Sequence, residues 1–155
     1  MDALFQELAD AEPADSARIE RMILAEWEKS GSPAMDLLLR RGKDALEDGQ
    51  PEVAVEHFSA LVDHAPDFAE GYYGRASSYY LLGLTGPALE DIQTTLRLNP
   101  RHFPAMTGLA VVMEELGRTN DALEIYRMIL DIHPNAPEAG AGAVRLGMIE
   151  EGQSL

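Results

Sequence analysis

A spacing of 34 residues runs through the middle of the chain and restricts its fold more than any other feature. It separates Ala54, Ala88 and Ala122, then Gly49, Gly83 and Gly117, then Pro66, Pro100 and Pro134. Apolar positions follow the same period: Leu38, Tyr72 and Met106; Ala45, Tyr79 and Met113; Phe58, Ile92 and Tyr126; Leu61, Thr95 and Ile129. A chain with such a repeat is an array of like units, each too small to bury its own apolar face and stable only when stacked on its neighbours.

The chemistry of one unit explains the spacing. Each glycine follows a stretch with helical periodicity, where positive φ ends a helix at low cost. Each alanine lies in the next amphipathic stretch and is small because two helices cross there, with Phe58, Ile92 or Tyr126 one turn further along the same face. The proline then stops the second helix, because the residue before it avoids helical geometry. Pro51 and Pro87 suit first-turn positions, and Asp67 suits an N-cap for a helix beginning near Phe68.

A 34-residue helix-turn-helix with an A-x3-F-like pair and a trailing proline resembles the tetratricopeptide repeat (TPR) family. The resemblance covers residues 35–136 as three units, 35–68, 69–102 and 103–136. The family's first aromatic is Leu38, Tyr72 and Met106 here, and its leucine-glycine pair reads Arg41-Gly42, Arg75-Ala76 and Leu109-Ala110, which keeps the small residue. The resemblance implies an all-α fold: a right-handed superhelical solenoid of three TPR units, without strands, in which Ala54, Ala88 and Ala122 are buried.

Residues 1–34 read as an N-terminal helical extension and 137–155 as a C-terminal capping helix and tail. The extension has two helical stretches, about Asp2 to Asp10 and Ser16 to Ser30, joined by a loop containing Pro13. Ile19, Met22, Ile23 and Trp27 form an apolar stripe. Packing as a half repeat on the first repeat's helices is the expected role, with a neighbouring molecule's groove as the alternative. Ala143, Leu146, Met148 and Ile149 give the C-terminal helix its covering face, although Gly140, Gly142 and Gly147 weaken it and predict fraying.

With 27 acidic against 12 basic residues and a net charge of -15, the average surface repels nucleic acid and anionic membrane. The longest apolar run, Leu109 to Met113, is far below the ~18 residues of a membrane span. The acidic N-terminus is unlike a signal peptide. The absence of cysteine removes disulfides, thiolate ligands and cysteine nucleophiles. His57, His64, His102 and His133 form no ligand pair at helical spacing; the last three sit near the proline turns, where a helix C-terminus favours a histidine. The pairs Glu90-Asp91, Glu114-Glu115 and Glu150-Glu151 read as solvated faces. No nucleophile elbow, H-E-x-x-H or phosphate loop occurs. No cofactor, metal site or catalytic residue is expected.

In the TPR family the first helix of each unit lines a concave groove that binds peptides. The resemblance therefore implies a groove of Leu39, Lys43, Leu46, Tyr73, Ser77, Tyr80, Arg101, Thr107 and Val111, with Asp36, Glu47, Glu70, Glu114 and Glu115 as an acidic rim. Chaperone-binding members clamp a terminal carboxylate with lysine, asparagine and arginine; Gly74, Ser77, Pro104 and Gly108 do not match that clamp. The function expected is a non-enzymatic interaction module, a scaffold or adaptor for a protein or peptide with an apolar anchor and basic flanks. A self-associating structural protein using the N-terminal helices is the alternative, and an enzyme is less favoured. The chain is similar to small bacterial TPR proteins, many of them exported, which leans its location towards the periplasm, with the cytoplasm as the alternative.

Overall fold

Gly49, Gly83 and Gly117 have φ of +71°, +75° and +77°, so each turn of the 34-residue period sits where a side chain would be strained. In the computed structural model, which describes residues 1–154, these turns split three helix pairs. The pairs are α3 (Pro33–Glu47) with α4 (Pro51–His64), α5 (Ala69–Leu81) with α6 (Thr85–Leu98), and α7 (Phe103–Glu115) with α8 (Thr119–Ile132). Before them come α1 (Asp2–Asp10) and α2 (Pro13–Trp27), and after them α9 (Pro137–Ser154). No strand occurs among the described residues, and no helix is long and apolar enough to cross a membrane. Leu155, the end of the expected tail, lies outside the described residues.

The helices form two compact units, residues 25–102 and residues 1–24 with the described residues from 103 onward. In the first, the fully buried Phe58 ring of α4 is wedged between α3 and α5. It fits because Gly42 and Gly74 face it: a Cβ at Gly42 would lie 2.4 Å from the nearest ring carbon and one at Gly74 2.5 Å, closer than real Cβ contacts. Gly71 likewise lets α5 settle on Leu61 and Val62. Leu39, Ala45, Ala54 and Leu61 complete this core, and Ala88 and Ile92 are buried on α6.

In the second unit Tyr126 of α8 fills the same role, its ring 2.5 Å from where a Cβ of Gly142 would stand. Ala122 is fully buried, as are Ala54 and Ala88. α1 packs on α8 through this unit, burying Phe5 and Leu8, and the Asn135 amide donates to the Ala11 carbonyl at 3.0 Å.

Three local expectations are corrected. α2 begins at Pro13 and ends at Trp27, because proline suits a helix's first position and Gly31 at φ +84° breaks the chain soon afterwards. The residue flanking α5 is Phe68, with no side-chain cap from Asp67. On α9, Ala139, Gly142 and Leu146 face the protein, whereas Met148 and Ile149 are exposed, since the buried stripe follows the glycine that admits Tyr126.

Gly74→Ala should therefore lower stability by about 1–3 kcal/mol through overpacking, despite gaining about 1 kcal/mol of helix propensity. Gly147→Ala, with nothing within 4 Å of the added carbon, should be neutral or stabilising. Thermal denaturation of both variants checks the pair of opposite signs.

Candidate binding surface

Within residues 25–102, α5 carries Glu70, Tyr73, Ser77 and Tyr80 at spacings of three and four, which aligns them along one face. The structure gathers the first two around His102. This histidine is fully buried and its Nε2–H donates to Glu70 Oε1 at 2.6 Å. The Tyr73 ring lies 4.6 Å from the imidazole, tilted by 50°, and the Trp27 indole stacks on it at 4.8 Å and 16°. Glu70 is thus buried against a histidine instead of standing on a solvated rim. His102 precedes α7 and does not end a helix, so its carboxylate partner, not a helix C-terminus, satisfies it.

The other expected residues of this unit are placed as follows. Asp36, Leu39, Lys43 and Glu47 line one open groove of about 450 Å³, to which Ala25 and Glu28 also contribute. Leu39 contributes little surface there because it is 5% exposed, with most of its side chain in the core. Lys43 is ion-paired with Glu28. Asp36 accepts from the Ser30 hydroxyl at 2.6 Å and from its N–H at 3.0 Å, and these donors hold its carboxyl below the ordinary aspartate value. Leu46 and Arg101 are half-buried; Ser77 donates to the Tyr73 carbonyl at 3.1 Å; Tyr80 is exposed.

In the other unit Thr107 donates to the Phe103 carbonyl, Val111 is half-buried and Glu115 is exposed. Glu114 accepts from the Tyr126 hydroxyl at 2.8 Å and from Arg145 at 2.6 Å, so the carboxylate expected to recruit a partner's cation already holds one of the chain's own. His133, buried, meets Glu20 of α2 at 3.5 Å and the edge of Phe103.

These contacts belong to a helical repeat with its first-helix face built from aromatic and titratable side chains. Comparison with protein-family models matches the tetratricopeptide repeat over residues 39–86 and 87–137. The chain belongs to the TPR family. A TPR repeat-containing protein of Rhizobium etli is 30% identical over 135 residues, 86% of this chain and 66% of that protein. The chain spans 36% or less of several other curated relatives. Among solved structures, the first TPR domain of Spaghetti (RPAP3), bound to an HSP90 peptide, superposes with a TM-score of 0.70 at 20% identity, covering 76% of this chain and 93% of that one. The MamA protein superposes with a TM-score of 0.68 at 23% identity, covering 100% of this chain and 81% of that one.

Some decisive residues of this TPR chain escape a pattern search. Asp91, in a pair expected to be solvated, is buried and accepts a two-pronged contact from Arg75 at 2.7 and 2.9 Å. The guanidinium also lies 5.9 Å from the Tyr72 ring and 5.8 Å from that of Tyr79, and its carboxylate partner raises its pKa. Adjacent acids on a helix point about 100° apart, so one can pair inward while its neighbour stays wet. Among the described residues no group of three His, Cys, Asp or Glu could hold a metal ion.

Burial, followed by the Glu114 carboxylate, pushes the Tyr126 phenol up to about 12. A phenol whose folded pKa lies above its ordinary 10.0 contributes stability in full below that value and loses it as pH rises towards 12. Phenolate absorbance should thus show one tyrosine titrating last. Glu114→Gln should bring it down part of the way, leaving the burial contribution in place.

Proposed function

We propose that this chain is a non-enzymatic protein-interaction module, a scaffold or adaptor whose first-helix face binds a peptide segment through an apolar or aromatic anchor. Family membership supports the general reading. The observation that carries the finer one is the Trp27 indole stacked on His102 beside Tyr73: that face accepts an aromatic side chain carried by a helix.

The RPAP3 domain holds the peptide SRMEEVD, an acidic tail. Here the charge of -15 opposes such a ligand, and Lys43, the cation of the expected groove, is tied to Glu28. An apolar anchor with a basic flank suits the exposed Glu47 of the same unit better, its effect falling mainly on the association rate. Self-association through the N-terminal stripe is the weaker reading, since Phe5, Leu8, Ile19 and Ile23 are already buried in their own chain.

Affinity capture with the full chain tests the proposal when repeated with the Tyr73→Ala, Tyr80→Ala double variant. The partner caught by the parent should be lost, with helical content by circular dichroism unchanged. Equal capture by both proteins would put the contact elsewhere. Light scattering should give a monomer mass; a dimer abolished by substitutions in α1 and α2 would instead favour self-association.

A further inference from the structure

We propose that the outer face of α9 is a docking site for an amphipathic helix of another protein, one that brings a bulky apolar residue to each of Gly140 and Gly147, a small residue to Val144 and a basic residue to the end marked by Glu151. This surface shares no residue with the one carrying Tyr73 and Tyr80.

The 34-residue spacing identifies the face. Gly142 admits the Tyr126 ring of the preceding helix as Gly74 admits Phe58, so α9 stands in line as the first helix of a further pair. In the earlier pairs the first helix turns another face to its own second helix. On that face Gly42 meets the Phe58 ring of α4. One period later Ala76 is 2% exposed, and after another Ala110 is fully buried. Glu114, one turn beyond Ala110 on α7, accepts from the Tyr126 hydroxyl of α8. The next period puts Val144 at the place of Ala110 and Met148 at that of Glu114, and they are 61% and 67% exposed. Gly140 and Gly147 take the places of Met106 and Met113; both methionines are buried, whereas a Cβ at either glycine would stand in open space. A face that three first helices keep covered is bare on α9.

Its relief says what covers it. Gly140, Val144 and Gly147 follow one another at spacings of four and three along one side of the helix, a knob between two hollows. The first pair of the chain uses the reverse relief, with the Phe58 ring seated on the bare backbone of Gly42. A ring at that place has no room over the branched Val144. The matching helix instead carries large apolar side chains on either side of a small one, so that they reach the backbone at Gly140 and Gly147. Met148 borders the knob with a flexible thioether that adapts to what lies on it. Charge marks the C-terminal end: Glu151 is exposed, the last turn of α9 has no basic residue, and the helix dipole is negative there. A basic residue complements that end. A second copy of the chain, with its net charge of -15, does not.

Two synthetic amphipathic helices of equal composition are the probes, both added to the full chain. The matched one runs antiparallel to α9 and carries an arginine, a leucine four residues later, an alanine three after that and a second leucine four further on; in the other the alanine and one leucine are exchanged. The matched helix should bind about tenfold more tightly than the exchanged one and shift the methyl resonances of Val144 and Met148. Gly140→Leu with Gly147→Leu fills both hollows and should remove that preference by weakening the matched helix, whereas a patch that is merely apolar would bind both helices better. Val144→Lys, at an exposed position, should abolish binding with thermal denaturation unchanged. The Tyr73→Ala, Tyr80→Ala variant should bind the matched helix as the parent does, so that failure of the first-helix reading and failure of this proposal are seen separately.

Equal affinity for the two helices overturns the proposal, as does undiminished binding of the matched helix by the glycine-filled variant. The absence of any Val144 or Met148 shift at roughly millimolar peptide overturns it too. A dimer in light scattering that Val144→Lys returns to a monomer would give the face to a second copy and equally overturn it.

Discussion

An aromatic ring held between two glycines is the constraint on which the packing depends. Phe58 reaches the centre of its unit only because Gly42 and Gly74 present bare backbone to its faces. Sixty-eight residues later, two periods on, the corresponding residues are Tyr126, Ala110 and Gly142, and Gly142 again presents bare backbone to the ring. Bulk at one position and its absence at two others fix how closely three successive helices approach. Dense interiors leave no slack to absorb an added methyl group. The turn glycines serve the arrangement by letting each pair fold back within three residues.

This sterically coded part of the fold was legible in the sequence. Ala54, Ala88 and Ala122 recur because no larger side chain fits where they cross, and each is fully buried. Gly74 and Gly142 stand 68 residues apart, two periods, and the same search could have found them. What was not legible depends on single contacts without a period. Asp91 and Glu90 are indistinguishable as letters, yet only Asp91 meets Arg75. The apolar stripe of α2 says that the helix needs a partner but not which one: Ile19 and Ile23 are buried, and Trp27 stacks on His102. Leu39 was legible as apolar on the first helix, but whether such a residue lines a groove or joins the core is decided by less than a turn's rotation.

The polar contacts give the proposed binding face its character. A buried histidine is costly unless satisfied, and here Glu70 satisfies it while its ring packs against Trp27 and Tyr73. The expected acidic rim is partly spent inside the protein, Glu70 on His102 and Glu114 on Tyr126 and Arg145. The proposed binding reading therefore rests on an aromatic platform with fewer, more peripheral charges. Such a platform selects by shape and burial and uses charge chiefly to steer encounter.

A double-mutant cycle between the ring and its glycine, read by denaturant unfolding of the full chain, tests most directly whether Phe58 sets the approach of its neighbouring helices. With Phe58 in place, a methyl group added at Gly74 meets the ring; with Phe58→Leu the same methyl group has room. The cost of Gly74→Ala should therefore fall markedly in the Phe58→Leu background. An equal cost in both backgrounds would mean that the ring and the glycine are not coupled, and the account of the packing would be wrong.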